Sequence, residues 1–77
     1  MKITLESTDA FKMINGVRCR VWEGTTDAGI GCFALIPQIA HHASDDCRAH
    51  EFVRDLQEHK RPSDRAIECF DLRYFID

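Results

Sequence analysis

Between residues 41 and 50 the chain reads HHASDDCRAH, which places His41, His42, Cys47 and His50 within ten positions. Imidazole and thiolate are the ligands zinc takes most readily, in four-coordinate tetrahedral sites. Cys47 and His50 stand three residues apart, so a helix would carry them close enough to share such an ion. His41 and His42 are adjacent, and side chains adjacent at a strand end diverge. No CxxC or HxxxH pair completes a ligand set, so the spacing falls short of the patterns that mark structural zinc. The expectation is a strand end followed by a capped helix, with no metal and no cofactor. A Cys47–His50 nucleophile and base is the second chemistry these residues suggest. It needs a third group to orient the base, and donors around the developing oxyanion. No residue can be named for either role, so no catalytic residue is assigned and the chain is expected not to be an enzyme.

The elements that would position these residues come from a chain of 77 residues, 44% apolar and 30% charged. That length makes one small domain, residues 1–77, and buries only about 60% of the unfolded surface, which leaves little room for a deep cleft. The net charge of −3 argues against direct nucleic-acid binding, because phosphate recognition leaves a basic excess. Residues 1–44 balance Lys2, Lys12, Arg18 and Arg20 against Glu6, Asp9, Glu23 and Asp27, so the acidic excess lies in residues 45–77. No apolar run is long enough to span a bilayer, and the alternation after Lys2 is unlike a signal sequence. A cytoplasmic protein with no membrane partner is expected. In that setting Cys19, Cys32, Cys47 and Cys69 are expected to be reduced thiols.

The chain begins with alternation in MKITLES, the mark of a half-buried strand. Asn15-Gly16 then separates two apolar-rich runs and suits a hairpin turn whose central residues both need positive φ. GTTDAG at 24–29 closes a second hairpin onto IGCFALIPQIAHH, where Pro37 forces an edge position or a bend. Ser44 or Asp45 can cap a following helix, in which Ala49, Phe52, Val53 and Leu56 form an apolar stripe. Cys47 falls well away from that stripe and should face water. Lys60 and Arg61 suit the helix end and Pro62 stops it. AIECF and LRYFI read as a last strand. The fold class is therefore α+β, a small antiparallel sheet of about four strands with a single helix, Ala49 to Leu56, packed on one face.

The Asn-Gly hairpin sets Ile14 opposite Val17 and Lys12 opposite Cys19. One face then carries Ile14, Val17, Cys19 and Val21, extended by Ile30, Cys32, Ala34 and Ile36, and fits under the helix. Cys19 and Cys32 would share it and could bridge on oxidation. The other carries Phe11, Met13, Arg18, Arg20 and Trp22, extended by Phe33 and Leu35, with no helix to cover it. Aromatic residues and arginine are enriched at protein interfaces, so Phe11, Arg18, Arg20, Trp22 and Phe33 are the partner-binding candidates. The alternative surface is the acidic helix side, Glu51, Asp55 and Glu58, which could imitate nucleic-acid phosphates or simply be solvated beside Arg48, Arg54 and Lys60.

MKITLEST, NGVRCRVWEGTTDAGI and HEFVRDLQEHKRPS together resemble a family of very small proteins encoded by temperate phages and prophages. The likeness covers roughly residues 1–62 and is weak in AIECFDLRYFID. Some such proteins are anti-CRISPR inhibitors, and the chain is most similar to those acting on the type I-C surveillance complex, Cascade. The resemblance implies a protein of the host cytoplasm that binds Cas proteins of that complex and keeps target DNA from docking. It carries over no binding or catalytic residue. Two other readings remain: a phage assembly component that forms a homodimer through the sheet face, and a small metal protein or enzyme built on Cys47 and His50.

Overall fold

A computed structural model of the chain describes residues 1–70. Three antiparallel strands, β1 (Ile3–Ile14), β2 (Val17–Thr26) and β3 (Gly31–Ile36), lie in the order β1-β2-β3. A 3-10 turn, Ala43–Arg48, runs into α1 (Ala49–Leu56), and α2 (Asp64–Phe70) follows. The class is α+β as expected, with three strands instead of about four. Among the described residues no helix is long and apolar enough to cross a membrane.

The first hairpin forms as its turn residues dictate. Asn15 and Gly16 both take positive φ, 51° and 80°, and Ile14 faces Val17. Further along, the two strands lose simple register: Ser7 pairs with Trp22 and Phe11 with Arg20, so Thr8, Asp9 and Ala10 together oppose Val21. Two extra residues preserve the strand's parity, so Thr8 and Ala10 still share a face with Val21. Side chains satisfy the interrupted ladder. The Thr8 hydroxyl donates to the Val21 carbonyl at 2.6 Å and accepts from the Ala10 N–H at 3.3 Å. The Arg20 guanidinium donates to the Thr8 carbonyl at 2.6 Å. The outer edge of this bulge takes a new neighbour, since Asp9 N–H donates to Lys60 C=O at 3.0 Å and Lys60 N–H to Ser7 C=O at 3.2 Å.

That junction returns the chain to the sheet. Pro62 is buried, and Ser63 caps α2 with its hydroxyl accepting from the Ala66 N–H at 3.3 Å. Ala66 then completes the core with Ala10 and Val21, against which Phe33, Leu35 and Ile67 pack. AIECF is thus helical rather than a strand, and LRYFI lies outside the described residues. The helix over the Val21 face is α2. Helix α1 has the expected bounds but not the expected place: it buries no residue, and Val53 is 53% exposed. Its start also differs: no side chain caps α1, and the preceding 3-10 turn, rather than Ser44 or Asp45, is where a cap forms, with His42 Nδ1 accepting from the Ser44 N–H at 3.4 Å.

Strand β3 sits one residue out of the expected alternation. Val21 faces Leu35 and Glu23 faces Phe33, so Phe33 and Leu35 belong to the core side, while Cys32, Ala34 and Ile36 share the side of Trp22 and Arg20. The physical cause is the stretch of five residues, 26–30, between the paired Thr25 and Gly31, which fixes parity by its own length; a one-residue change reverses every side chain of a strand. Cys19 and Cys32 consequently lie on opposite faces, and all four cysteines are free thiols.

A carboxylate ties helix to sheet. Glu23 is only 6% exposed, receives the Ser63 hydroxyl at 2.7 Å and the Ser63 N–H at 3.1 Å, and pairs with the Lys60 ammonium. Burial alone would raise its pKa, but the Lys60 and Ser63 contacts outweigh that and hold it below the usual carboxylate value.

Candidate functional site

Arg18, Arg20 and Trp22 alternate along β2 on the side away from Ala66, and the Phe11–Arg20 pairing brings Phe11 beside them. The guanidinium carbons of Arg18 and Arg20 lie 3.7 Å and 4.1 Å from the Phe11 ring centroid. Those are cation–π distances, which bring two cations over one aromatic ring. Leu56, from the end of α1, and His59 form a wall of the cleft, and Ile36–Ile39 forms another. The cleft has a volume of about 170 Å³, smaller than the roughly 300–1,000 Å³ of small-molecule sites. It suits a side chain or two from a macromolecular partner.

Ser7 fixes the junction between Trp22 and the α1 end. Its hydroxyl donates to the Glu58 carbonyl at 3.1 Å and lies 3.0 Å from His59 Nδ1. Beyond Trp22 the surface changes character, and a second hollow is lined by Glu6, Ser7, Trp22, Asp55, Glu58, His59 and Lys60. Lys60 turns its ammonium to buried Glu23, so the remaining charges of that hollow are acidic.

Four of the five expected partner-binding residues, Phe11, Arg18, Arg20 and Trp22, come together. Phe33 does not: it packs on the opposite, core side for the register reason given above. The face is not left uncovered either, since Leu56 and His59 border it. Sequence reasoning placed Leu56 under the Val21 face and passed over His59. The signal that could have found them is the Leu56–His59 spacing just before Pro62, where a chain leaving a helix must fold back along the sheet.

The acidic candidates are dispersed. Glu51 accepts from Arg48 Nε, Asp55 lies 3.6 Å from Arg54 Nε, and Glu58 stands beyond the end of α1. At the helix start His41 meets the Phe52 ring edge-on, with centroids 5.3 Å apart, and its Nδ1 is 3.5 Å from an Asp46 oxygen. Cys47 and His50 are exposed. Among the described residues no group of three or more His, Cys, Asp or Glu side chains is placed to hold a metal ion. Of the two adjacent histidines, His42 caps the 3-10 turn before α1 and His41 packs against Phe52 of α1.

No protein-family model matches the chain, and no curated protein or solved structure was found to match it.

Proposed function

We propose that the chain is a stoichiometric protein-binding inhibitor that docks through the Phe11–Arg18–Arg20–Trp22 face. The observation that carries this reading is the Phe11 ring held by two guanidinium groups beside a half-buried Trp22 in a shallow cleft. Trp and Arg dominate the energetics of protein interfaces, especially where a pre-set arrangement lowers the entropy lost on binding. The sequence resemblance to small phage-encoded anti-CRISPR proteins gives the target: Cas proteins of the host type I-C Cascade complex, met in the host cytoplasm. Occupying a Cascade surface that target DNA must reach would block docking without chemistry, so the protein acts as a binder and not as an enzyme.

The experiment is a pull-down of purified type I-C Cascade by the tagged chain, with and without prior loading of target DNA. Retention of DNA-free Cascade, together with loss of its DNA binding, is the expected result. Failure to retain Cascade in either state contradicts the assignment of the target.

A further inference from the structure

The side of the sheet that carries α2 has a hollow of its own, away from the Trp22 face. The Glu23–Phe33 and Thr25–Gly31 pairings put Thr25 and Gly31 on that side, next to the buried Glu23. The hollow measures about 290 Å³, and Thr25, Gly31, Lys60, Ser63 and Arg65 contribute to its lining. Gly31 makes the floor. A Cβ there would lie 3.4 Å from Arg65 Nη1 and 3.9 Å from its Cζ and Nη2, so the guanidinium lies over the space that a side chain would fill. Thr25, directly across from Gly31 on β2, brings a hydroxyl to the same place. Among the described residues, neither the Arg65 guanidinium nor the Thr25 hydroxyl meets a hydrogen-bond or ion-pair partner. Glu23 accepts from Ser63 and takes one of the three ammonium N–H groups of Lys60, whose side chain is 41% exposed. Glu23 and Lys60 cancel in charge, and Arg65 leaves the hollow net positive. The hydrogen-bonding capacity left over is that of donors: the guanidinium fork, the remaining Lys60 N–H groups and the Thr25 hydroxyl.

Donors converging on a net positive hollow match an oxyanion. A carboxylate has two oxygens, and the guanidinium fork alone would satisfy both. Donors on the Lys60 and Thr25 walls call for further oxygens, which a tetrahedral anion supplies. We propose that this hollow binds a phosphate group, as the free anion or as a phosphomonoester, with Arg65 taking two oxygens and Lys60 and Thr25 the others. Gly31 gives the group its room. Lys60 also belongs to the Glu23–Ser63 tie between α2 and the sheet, so a bound phosphate braces that joint and stabilises the fold by mass action. The site lies on the opposite side of the sheet from Trp22 and acts independently of the target-binding face.

The test titrates the full chain alone, with no Cascade present, so its outcome is independent of the inhibitor reading. Amide shifts of Thr25, Gly31 and Arg65 are followed by NMR at neutral pH against inorganic phosphate, phenyl phosphate and acetate, with chloride holding the ionic strength constant. Wild type is compared with Arg65→Gln and Gly31→Val. The first removes the guanidinium and no hydrogen bond of the fold. The second keeps every charge but fills the floor, and valine suits a strand, so it separates a shaped site from attraction to a positive surface. The expected result is saturable one-to-one binding of phosphate with a dissociation constant of about 1 mM. Acetate should bind at least about tenfold more weakly, and each variant should lose at least about tenfold in phosphate affinity. The tighter of the two phosphate probes identifies the source of the group. A wild type with no saturable shifts for either phosphate overturns the proposal. So does acetate binding as tightly as phosphate, or wild-type affinity in Arg65→Gln or in folded Gly31→Val. Should Gly31→Val fail to fold, Arg65→Gln and the acetate comparison decide.

Discussion

Glu23 is the side chain on which two parts of the chain depend, since it joins the middle of β2 to the cap of α2 through Ser63 and to the bulge edge through Lys60. Replacing it with Gln keeps the shape but removes the charge that Lys60 and Ser63 address. Hydrogen bonds of this kind, once broken in a buried place, cost about 1–3 kcal/mol, so Glu23→Gln should lower the urea midpoint accordingly without changing the slope. The direction of the pH response follows from its lowered pKa. The unfolded carboxyl titrates near the ordinary value of about 4.3, so the stabilisation is complete above that value and is lost as pH falls through the lower folded value. Wild type should lose stability over that acid window, and Glu23→Gln should show a smaller loss across it; equal losses in both proteins would contradict the assignment. The residue was visible in the sequence only as one of several acidic side chains. Its burial depends on residues 40 positions away.

At the scale of elements, close approach of β1 and β2 requires Gly24. A Cβ there would fall 1.7 Å from the Thr4 carbonyl oxygen, so Gly24→Ala forces the strands apart and should cost about 1–3 kcal/mol, the usual penalty of overpacking. Thermal melting of that variant against a Gly16→Ala control separates contact from backbone freedom, because Gly16 has open space around it and instead takes positive φ. The identity of the core helix is tested by another pair. Val21→Ala should cost about 2 kcal/mol, and Leu56→Ala, half-buried on the cleft side, about 1 kcal/mol; the reverse order would return α1 to the Val21 face. The first hairpin and its four clustered residues were legible because Asn15-Gly16 admits one register, and α1 was legible from its apolar periodicity; the expected Ser44 or Asp45 cap and the Lys60–Arg61–Pro62 end were not found, since α1 ends at Leu56 and Lys60 pairs with β1. Three other features were not legible. The two-residue bulge leaves no periodic trace, since it preserves parity. GTTDAG marks the second turn but does not fix how many residues lie between the paired Thr25 and Gly31, and the parity that places Phe33 on the core side follows from that number. Residues 64–70 are too short for a helical period to be told from a strand, and only the Ser63 cap and the Glu23 contact decide between them.

For the whole molecule, the sheet is asymmetric: α2 covers one side, and the other bears an aromatic–arginine cluster bordered by the end of α1. A surface built this way can lose its binding energy through one side chain while the fold persists, because Trp22 lies outside the Ala10–Val21–Ala66 core. The acidic alternative should behave differently, as exposed charges spread over Glu51, Asp55 and Glu58 mostly alter association rate and salt response. Arg20 is a poorer probe than Arg18, since its guanidinium also holds the Thr8 carbonyl of the bulge. The most direct test is therefore the affinity of Trp22→Ala for purified Cascade, measured beside wild type and the triple variant Glu51→Lys/Asp55→Lys/Glu58→Lys, with circular dichroism establishing that each is folded. The sheet-face account predicts that Trp22→Ala weakens binding at least about 30-fold, the equivalent of about 2 kcal/mol, while the triple variant stays within several-fold of wild type. Wild-type affinity in a folded Trp22→Ala protein, with binding abolished in the triple variant, would contradict it.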